Sequence, residues 1–342
     1  NSEVWTTWGN VFKGIKWMFT KDAPLLIRPT FEWAKIRWMA KFMWNTVTGK
    51  YARNTATTIQ LGMQSRELYK DIIAEEGLEF DQSFEGILHF YKDAHYLANA
   101  RSVKDLYEAN GCQWDMLDPH QVHLAEPNLR NNGSVLGGAW TEDDWMGDIH
   151  KFCTELTAVL KNKYGVTFSF GSTILDAKNL DYYDAIVISS GVGSTALAKT
   201  VGDTIDVYPV KGYSITVNLD DESYKHAPKT SLLDDQEKIV TSTLGRRFRV
   251  AGTAELTGEN YDIRRDRIEP LLNWVHTNFP KINTHDYSSW ACLRPMTPNM
   301  MPVVKQSKNN PKVFYHTGHG HLGWTLSPAT AVQLTALIDK VI

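Results

Sequence analysis

Arg294 stands in the segment WACLRPMTP, 290–298, followed by prolines at 295 and 298. Proline fixes φ, so this stretch would present one cationic fork on a stiff backbone. A fixed guanidinium is the natural bidentate partner of a carboxylate, although a single arginine is more often a surface or salt-bridged residue. A second segment with chemical content is HTGHGHLGWTLSPAT, 316–330, where Gly318, Gly320 and Gly323 lie between an apolar run and a helical one. Glycines there let backbone approach a flat ligand. The start of the following helix presents unpaired N–H groups with partial positive charge. Such a place suits the negative charge that a reduced flavin gathers along one ring edge. The dull alternative is an ordinary strand-to-helix turn. His316, His319 and His321 also permit a zinc reading, but the loop has no acidic or cysteine ligand and its histidines alternate with glycines.

A third segment, DAIVISS at 184–190, runs into Gly191-Val192-Gly193-Ser194-Thr195-Ala196. This spells G-x-G-x-x-A after a strand, the form of a dinucleotide fingerprint whose amides cradle a pyrophosphate. It lies mid-chain, with no acidic residue clearly placed at a second strand end to hold a ribose. A glycine turn close to some other part of a cofactor is the better reading.

The elements that must position these residues follow from periodicity. Residues 53–76 read as a long helix ending near Gly77. FEGILHFY reads as a strand, and AHYLANARSVKDLYEANG as a helix stopping at Gly111. Residues 146–164 read as a helix, then GVTFSF and DAIVISS as strands. Strands IDVYPV, YSITVNL and RFRVAGTAEL, the helix IEPLLNWVHTNF, the strand KVFYHTG and the helix PATAVQLTALIDKV follow. Strands alternate with helices in the outer parts and run together in the middle, which predicts an α/β cofactor domain interrupted by an antiparallel-sheet domain.

The totals exclude several classes. The 342 residues carry a formal net charge of −3, which argues against a nucleic-acid binder. Cys112, Cys153 and Cys292 are odd in number and far apart, which argues against a disulfide framework and fits a reducing compartment. No apolar run is long enough for a transmembrane helix, and no secretion leader is expected. The first 50 residues differ from the rest: they hold six of the 12 tryptophans and eight basic against three acidic side chains. FKGIKWMF and FEWAKIRWMAKFMW place aromatic and basic residues at helical spacing. Two readings stand side by side, a membrane-surface helix pair and a helix pair packed on the protein's own core.

YPVKGYS (208–214), LRPMTP (293–298) and GHGHLGWT (318–325) occur in order after KGIKWMF and APLLIRP. Together they resemble the bacterial D-amino-acid dehydrogenase small subunit, within the D-amino-acid oxidase/glycine oxidase flavoprotein superfamily, over nearly the whole chain. The resemblance implies a glutathione-reductase-type FAD-binding domain interrupted by a mixed or antiparallel-sheet substrate domain. Its parts would be a helical 1–76 belonging to the FAD domain, substrate domain at 77–140 and 205–290, and FAD domain at 141–204 and 291–342. It implies FAD as cofactor, oxidative deamination of D-amino acids to 2-oxo acids and ammonia, and a respiratory electron acceptor, quinone or carrier. It also implies a cytoplasmic protein, peripheral on the inner membrane through residues 1–50. Carried over, Arg294 anchors the substrate carboxylate and His321 points towards substrate, while Tyr213 and Tyr315 are offered as pocket residues. Gly318, His319, Gly320, Leu322, Gly323, Trp324 and Thr325 meet the flavin, mainly through backbone. Gly191 passes near the ADP half, and Ile174 offers backbone to the adenine.

The sequence departs from the family's pattern in two places. After LRPMTP the family continues Asp-Gly-x-Pro and ends near a glycine; here stand Asn299-Met300-Met301-Pro302 and Lys305. Met300 is therefore expected to crowd or reshape the pocket mouth. The family also opens with a βαβ unit bearing G-x-G-x-x-G and an acidic ribose ligand, absent from this sequence, so a unit of about 30 residues or more is expected ahead of Asn1. Two other functions stay open: a related FAD amine oxidoreductase of the sarcosine, proline or glycine type, and a truncated chain or half of a split protein that does not hold FAD alone.

Overall fold

The computed structural model describes residues 4–17, 25–27, 31–130 and 133–342. The chain opens with α1 (Trp8–Trp17), β1 (Leu25–Ile27), α2 (Trp33–Val47) and α3 (Tyr51–Glu76). The last two residues of FKGIKWMF, and APLLIRP apart from 25–27, lie outside the described residues. α3 stops at Gly77, which takes the left-handed conformation (φ 62°) and returns its N–H to Ile73 O, a glycine-terminated helix end. α2 packs one face on the core, the second of the two readings, and leaves the other face exposed. Trp38 is buried and its Nε1–H donates to Met296 O at 2.8 Å, while Trp33, Ile36, Trp44 and Val47 are exposed on the other side. Arg37 and Lys41 are both engaged by Asp206.

Next come β2 (Ile87–Tyr91), α4 (Ala94–Glu108), β3 (Asp115–Leu117), α5 (Pro119–Ala125), β4 (Gly137–Thr141) and α6 (Ile149–Asn162). Aspartate side chains cap three of these helices: Asp93 on α4, Asp118 on α5 in a reciprocal box with Gln121, and Asp148 on α6. The chain continues through β5 (Ile186–Ile188), α7 (Ser194–Thr200), β6 (Tyr208–Asn218), α8 (Asp221–Lys225), β7 (Ser231–Asp234), β8 (Ile239–Leu244) and β9 (Arg247–Leu256). It closes with α9 (Arg265–Asn278), β10 (Tyr287–Met296), β11 (Val303–Gln306), β12 (Val313–Thr317) and α10 (Gly323–Ile338).

Among the described residues these strands form two sheets. The large one has the order β10-β6-β9-β8-β7-β2-β4-β3, with β1 added parallel to β9. It is mixed: β2 and β7 are parallel, and most other pairs antiparallel. Its main core packs Phe90, Ile215, Phe248 and Val250 against Leu271, Trp274 and Val275 of α9. The small sheet, β11-β12-β5, joins β12 and β5 in parallel, and buries Ile186, Ile188 and Val313 against Ala198 of α7. The mixed α/β architecture agrees with the expected fold class.

Four local expectations need correction. GVTFSF is not a strand: residues 166–170 have no regular structure and Phe170 is exposed, because no neighbouring strand among the described residues offers it a ladder. IDVYPV and YSITVNL are not two strands; 208–218 is one strand running straight through Gly212. The boundary drawn at 290 falls inside β10, whose ladder with β6 continues unbroken to Met296. The last helix starts at Gly323 rather than Pro328; the missing N–H of Pro328 leaves the Trp324 carbonyl without its helical donor, and Tyr69 Oη donates to it instead.

Candidate active site

β10 carries Arg294 beside β6, with Arg294 opposite Val210 and Cys292 opposite Gly212. The side chain leans back over Gly212, where an added Cβ would overlap the guanidinium carbon and both terminal nitrogens. Arg294 Nη1 donates to Thr253 O of β9 at 3.1 Å. Burial pushes its pKa below the usual arginine value, and no carboxylate pairs with it among the described residues. A partly buried cation lacking a counter-ion favours the arrival of an anion.

The glycine-rich turn is tied to the same stretch of β10. Gly320 N–H donates to Pro295 O at 3.0 Å, and Met296 forms a bridge with His319. Gly318 and Gly320 take φ of 74° and 61°. A Cβ at 318 would lie 2.7 Å from Thr297 Cγ2, and one at 320 would lie 2.7 Å from Met296 Sδ. LRPMTP and GHGHLGWT therefore meet because each glycine gives up its side-chain space to the other segment. His321 projects from this turn and stacks on Trp5, with centroids 4.8 Å apart. Burial, and then the nearby positive charge of Arg294, push its pKa down to about 3. It is thus neutral at physiological pH, with a buried Nδ1 that has no hydrogen-bond partner among the described residues.

His319 and His316 are spent differently. Their Nε2 atoms lie 2.9 and 2.8 Å from Thr330 Oγ1. That hydroxyl donates to Leu326 O at 2.9 Å, so it accepts from both rings and both carry the Nε2–H tautomer. Burial, reinforced by His316, pushes His319 down to about 4.

α10 begins at Gly323 with no side-chain cap. The ring of Trp324 packs with Tyr69, Phe80 and Phe152, and its carbonyl accepts from Tyr69 Oη at 2.8 Å. Leu322 is buried beside Leu61 and Leu326, and Thr325 is exposed. A cavity of about 180 Å³ opens beside this first turn, lined in part by Arg66, Tyr69, Trp145, Trp324 and Thr325.

The mid-chain glycine turn joins the site from the small sheet. Gly191 sits at φ 58° with open space where a Cβ would be. Its carbonyl accepts from Thr317 Oγ1 at 3.1 Å, and Ser194 Oγ donates to the same Thr317 Oγ1 at 3.0 Å. The two glycine turns thus meet at the end of β12, one residue before Gly318.

The remaining residues are placed elsewhere. Ile174 is exposed in a loop without regular structure. Tyr213 Oη lies 2.5 Å from Glu255 Oε2, and Tyr315 Oη 2.7 Å from Asp203 Oδ2. Burial and these carboxylates push both phenols well above their usual pKa. Both side chains are fully buried and hold the fold, so the expectation that they line a substrate pocket is corrected. Met300 is buried with Tyr208, Val210 and Met296, at φ 63°, and it lines a small pocket shared with Gly318, His319, Gly320 and His321. Two residues beside Arg294 went unread. Gly212 lies within YPVKGYS, but only the strand register reveals what its missing side chain makes room for. Thr253 has no sequence signal, because a β-branched residue gives no hint of a left-handed backbone.

The donor set fits a planar ring with an anionic edge. A ring nitrogen and a guanidinium that lack, respectively, a hydrogen-bond partner and a counter-ion among the described residues stand with an uncapped helix start and with Gly318 and Gly320, which leave no room for a Cβ. That grouping can hold a flat cofactor through backbone and an acid at Arg294. The comparisons with known proteins agree and narrow the class. A family model described as "DAO: FAD dependent oxidoreductase" matches residues 30–337, and the chain belongs to this family; it is an FAD-dependent enzyme. Among curated proteins, D-amino acid dehydrogenase 3 of Mesorhizobium japonicum is 43% identical, over 99% of this chain and 85% of that protein. A D-amino acid dehydrogenase of Rhizobium johnstonii is 35% identical, over 98% and 83%. Among solved structures, glycine oxidase from Geobacillus kaustophilus shares the fold with a TM-score of 0.73 at 18% identity, covering 82% of this chain and 79% of that one. L-proline dehydrogenase from P. horikoshii does so with a TM-score of 0.69 at 13% identity, over 83% and 79%.

Proposed function

We propose that this protein oxidises D-amino acids to 2-oxo acids and ammonia and passes the electrons to a respiratory acceptor, a quinone or a carrier. The observation that carries the reading is Arg294, a partly buried cation without a counter-ion among the described residues, beside the glycine turns, in a chain whose relatives include proteins named D-amino acid dehydrogenase.

Bound FAD supplies the two-electron acceptor for the hydride that leaves Cα. The substrate loses that hydride and one proton from nitrogen to become an imino acid, and water then hydrolyses the imine to a 2-oxo acid and ammonia. Arg294 binds the carboxylate and so orients the single Cα–H of the substrate, which makes orientation the main contribution of the protein. His321, neutral and beside Arg294, would face the substrate with an Nδ1 that has no partner among the described residues, and adds no second positive charge. The first-turn N–H groups of Gly323, Trp324 and Thr325 would hold the flavin's anionic edge, Gly318, His319, Gly320 and Leu322 would offer it backbone, and Gly191 would serve the ADP half; the resemblance also assigns Ile174 to the adenine, which its exposed loop leaves unsupported. The five-part division between FAD domain and substrate domain belongs to this same reading, with its last boundary moved beyond Met296, where β10 ends.

The same reading places the enzyme on the cytoplasmic face of the inner membrane as a peripheral protein. The exposed stripe of Trp33, Ile36, Trp44 and Val47 on α2 supports this, since such a face suits the lipid headgroup boundary. No helix among the described residues is long and apolar enough to cross a membrane. Turnover of the FAD-loaded protein with D-amino acids, L-amino acids, sarcosine and glycine tests the substrate class. Preference for the D-amino acids is expected, and faster turnover of sarcosine or glycine would replace this reading with an amine oxidoreductase.

A further inference from the structure

The backbone under Arg294 is irregular at one point. In the ladder between β6 and β9, Lys211 pairs with Glu255 and Tyr213 with Gly252. Two steps on β6 thus face three on β9, the signature of a bulge with one extra residue. Thr253 lies in it, at φ 58°. A β-branched side chain disfavours that conformation, and its buried Oγ1 has no partner among the described residues. Both facts are locally unfavourable, so the bulge must be imposed by its surroundings, and outliers of this kind cluster at functional sites.

A buried carboxylate imposes the bulge. Glu255, fully buried two residues further on, is held by Lys211 Nζ at 3.3 Å, Tyr213 Oη at 2.5 Å and Arg264 Nη1 at 2.9 Å. Lys211 is anchored in turn by Asn260 Oδ1 at 2.6 Å and Asp262 O at 3.0 Å. This network fixes the register on the far side of the bulge. The near side then turns the Thr253 carbonyl onto Arg294 Nη1. Gly212 completes the arrangement. It is not among the left-handed glycines, so its backbone does not require glycine, but the space above it does, because the guanidinium fills the place of a Cβ.

We propose that the β9 bulge and Gly212 form a seat that fixes the Arg294 fork for the substrate carboxylate, making Gly212 and Thr253 positioning residues. The inference rests on the carboxylate reading of Arg294 given above. One guanidinium edge bonds the carbonyl of Thr253, and the remaining N–H groups are left for the acid. The fork is thereby pre-oriented before substrate arrives, which lowers the ordering cost of binding. The Thr253 contribution runs through its carbonyl, not its side chain.

The test uses the FAD-loaded protein and propionate, a simple carboxylate that lacks an amine, with binding measured by titration calorimetry. Gly212→Ala is expected to weaken propionate by about tenfold or more, the scale of one charge-assisted hydrogen-bond pair, with FAD content and unfolding midpoint unchanged. The fold tolerates it because the overlapped atoms are the far end of a flexible side chain. In an Arg294→Ala background the Gly212→Ala loss is expected to vanish, since the two act as one unit. Thr253→Gly keeps the carbonyl and is expected to hold propionate within about threefold of wild type. A Gly212→Ala loss that persists without Arg294, no loss at all, or a tenfold loss in Thr253→Gly would overturn the seat. If Arg294→Ala alone bound propionate as tightly as wild type, the carboxylate reading itself would fail, and that result is separable from the others.

Discussion

Acidification from pH 7 to pH 5 should weaken this fold through the histidines of the glycine-rich turn. His321 is held down to about 3 by burial and then by Arg294, and His319 to about 4 by burial and then by His316. In the unfolded chain a histidine titrates near about 6.5. The folded-state values are depressed, so between them and about 6.5 the unfolded chain binds more protons and stability rises with pH. The contribution is complete above that unfolded value and is lost as pH falls through the window towards the folded values. At pH 5 each ring is still neutral when folded but largely protonated when unfolded, which costs about 2 kcal/mol per ring relative to pH 7, or about 4 kcal/mol for the two. One carboxylate opposes the trend: burial and then Asp234 raise Glu237, so it favours the fold on acidification, equally in wild type and variant; three others stay out of the window. Asp148, Asp203 and Glu255 resist the upward push of burial and are held low by partners led by Arg247, Ser307 and Tyr213 respectively. Their stabilisation is therefore lost only below about pH 4.5. Urea unfolding of wild type and His321→Gln at both pH values measures the effect. The variant should lose about 2 kcal/mol less than wild type over the interval. Equal losses in the two proteins would refute a neutral, buried His321.

Three further outcomes follow from the packing. Glu255→Ala strands Lys211 in the core and should cost about 3–5 kcal/mol by denaturant titration; Lys211→Met leaves Glu255 with Tyr213 and Arg264 and should cost less. Gly320→Ala combines a left-handed φ of 61° with overlap on Met296 Sδ. It should cost about 1–2 kcal/mol or more and lower the FAD retained through gel filtration, whereas full retention would remove the turn from the cofactor site. Replacing Trp33 and Trp44 with serine should reduce co-sedimentation with anionic vesicles and leave turnover with a soluble acceptor unchanged; unchanged vesicle binding would remove α2 from the membrane reading.

What the sequence revealed, and what it hid, has a physical pattern. Helices with a strong period or a clear stop were legible: α3 ends on Gly77 as its pattern requires, and β5 follows from DAIVISS. GVTFSF misled because strand propensity needs a partner ladder to act, and the sequence carries no record of one. Arg294 and the glycine turns were legible as chemistry because prolines and glycines advertise special backbone. Tyr213 and Tyr315 misled for the opposite reason. A tyrosine near a motif looks the same whether its hydroxyl meets a substrate or, as here, Glu255 and Asp203. Lys211 and Glu255, 44 positions apart, meet only through the ladder of β6 with β9, and the bulge they impose at Thr253 leaves no trace in residue types.

The role of Arg294 in D-amino acid oxidation is tested by anaerobic mixing of FAD-loaded wild type and Arg294→Ala with D-alanine and L-alanine, following loss of the oxidised flavin's visible absorbance. Wild type is expected to be bleached by the D form and not by the L form. Arg294→Ala is expected to keep its flavin but to need about a hundredfold more D-alanine, the scale of a lost charge-assisted carboxylate clamp. Bleaching by L-alanine as fast as by D-alanine, or an Arg294→Ala protein as responsive as wild type, would contradict that role.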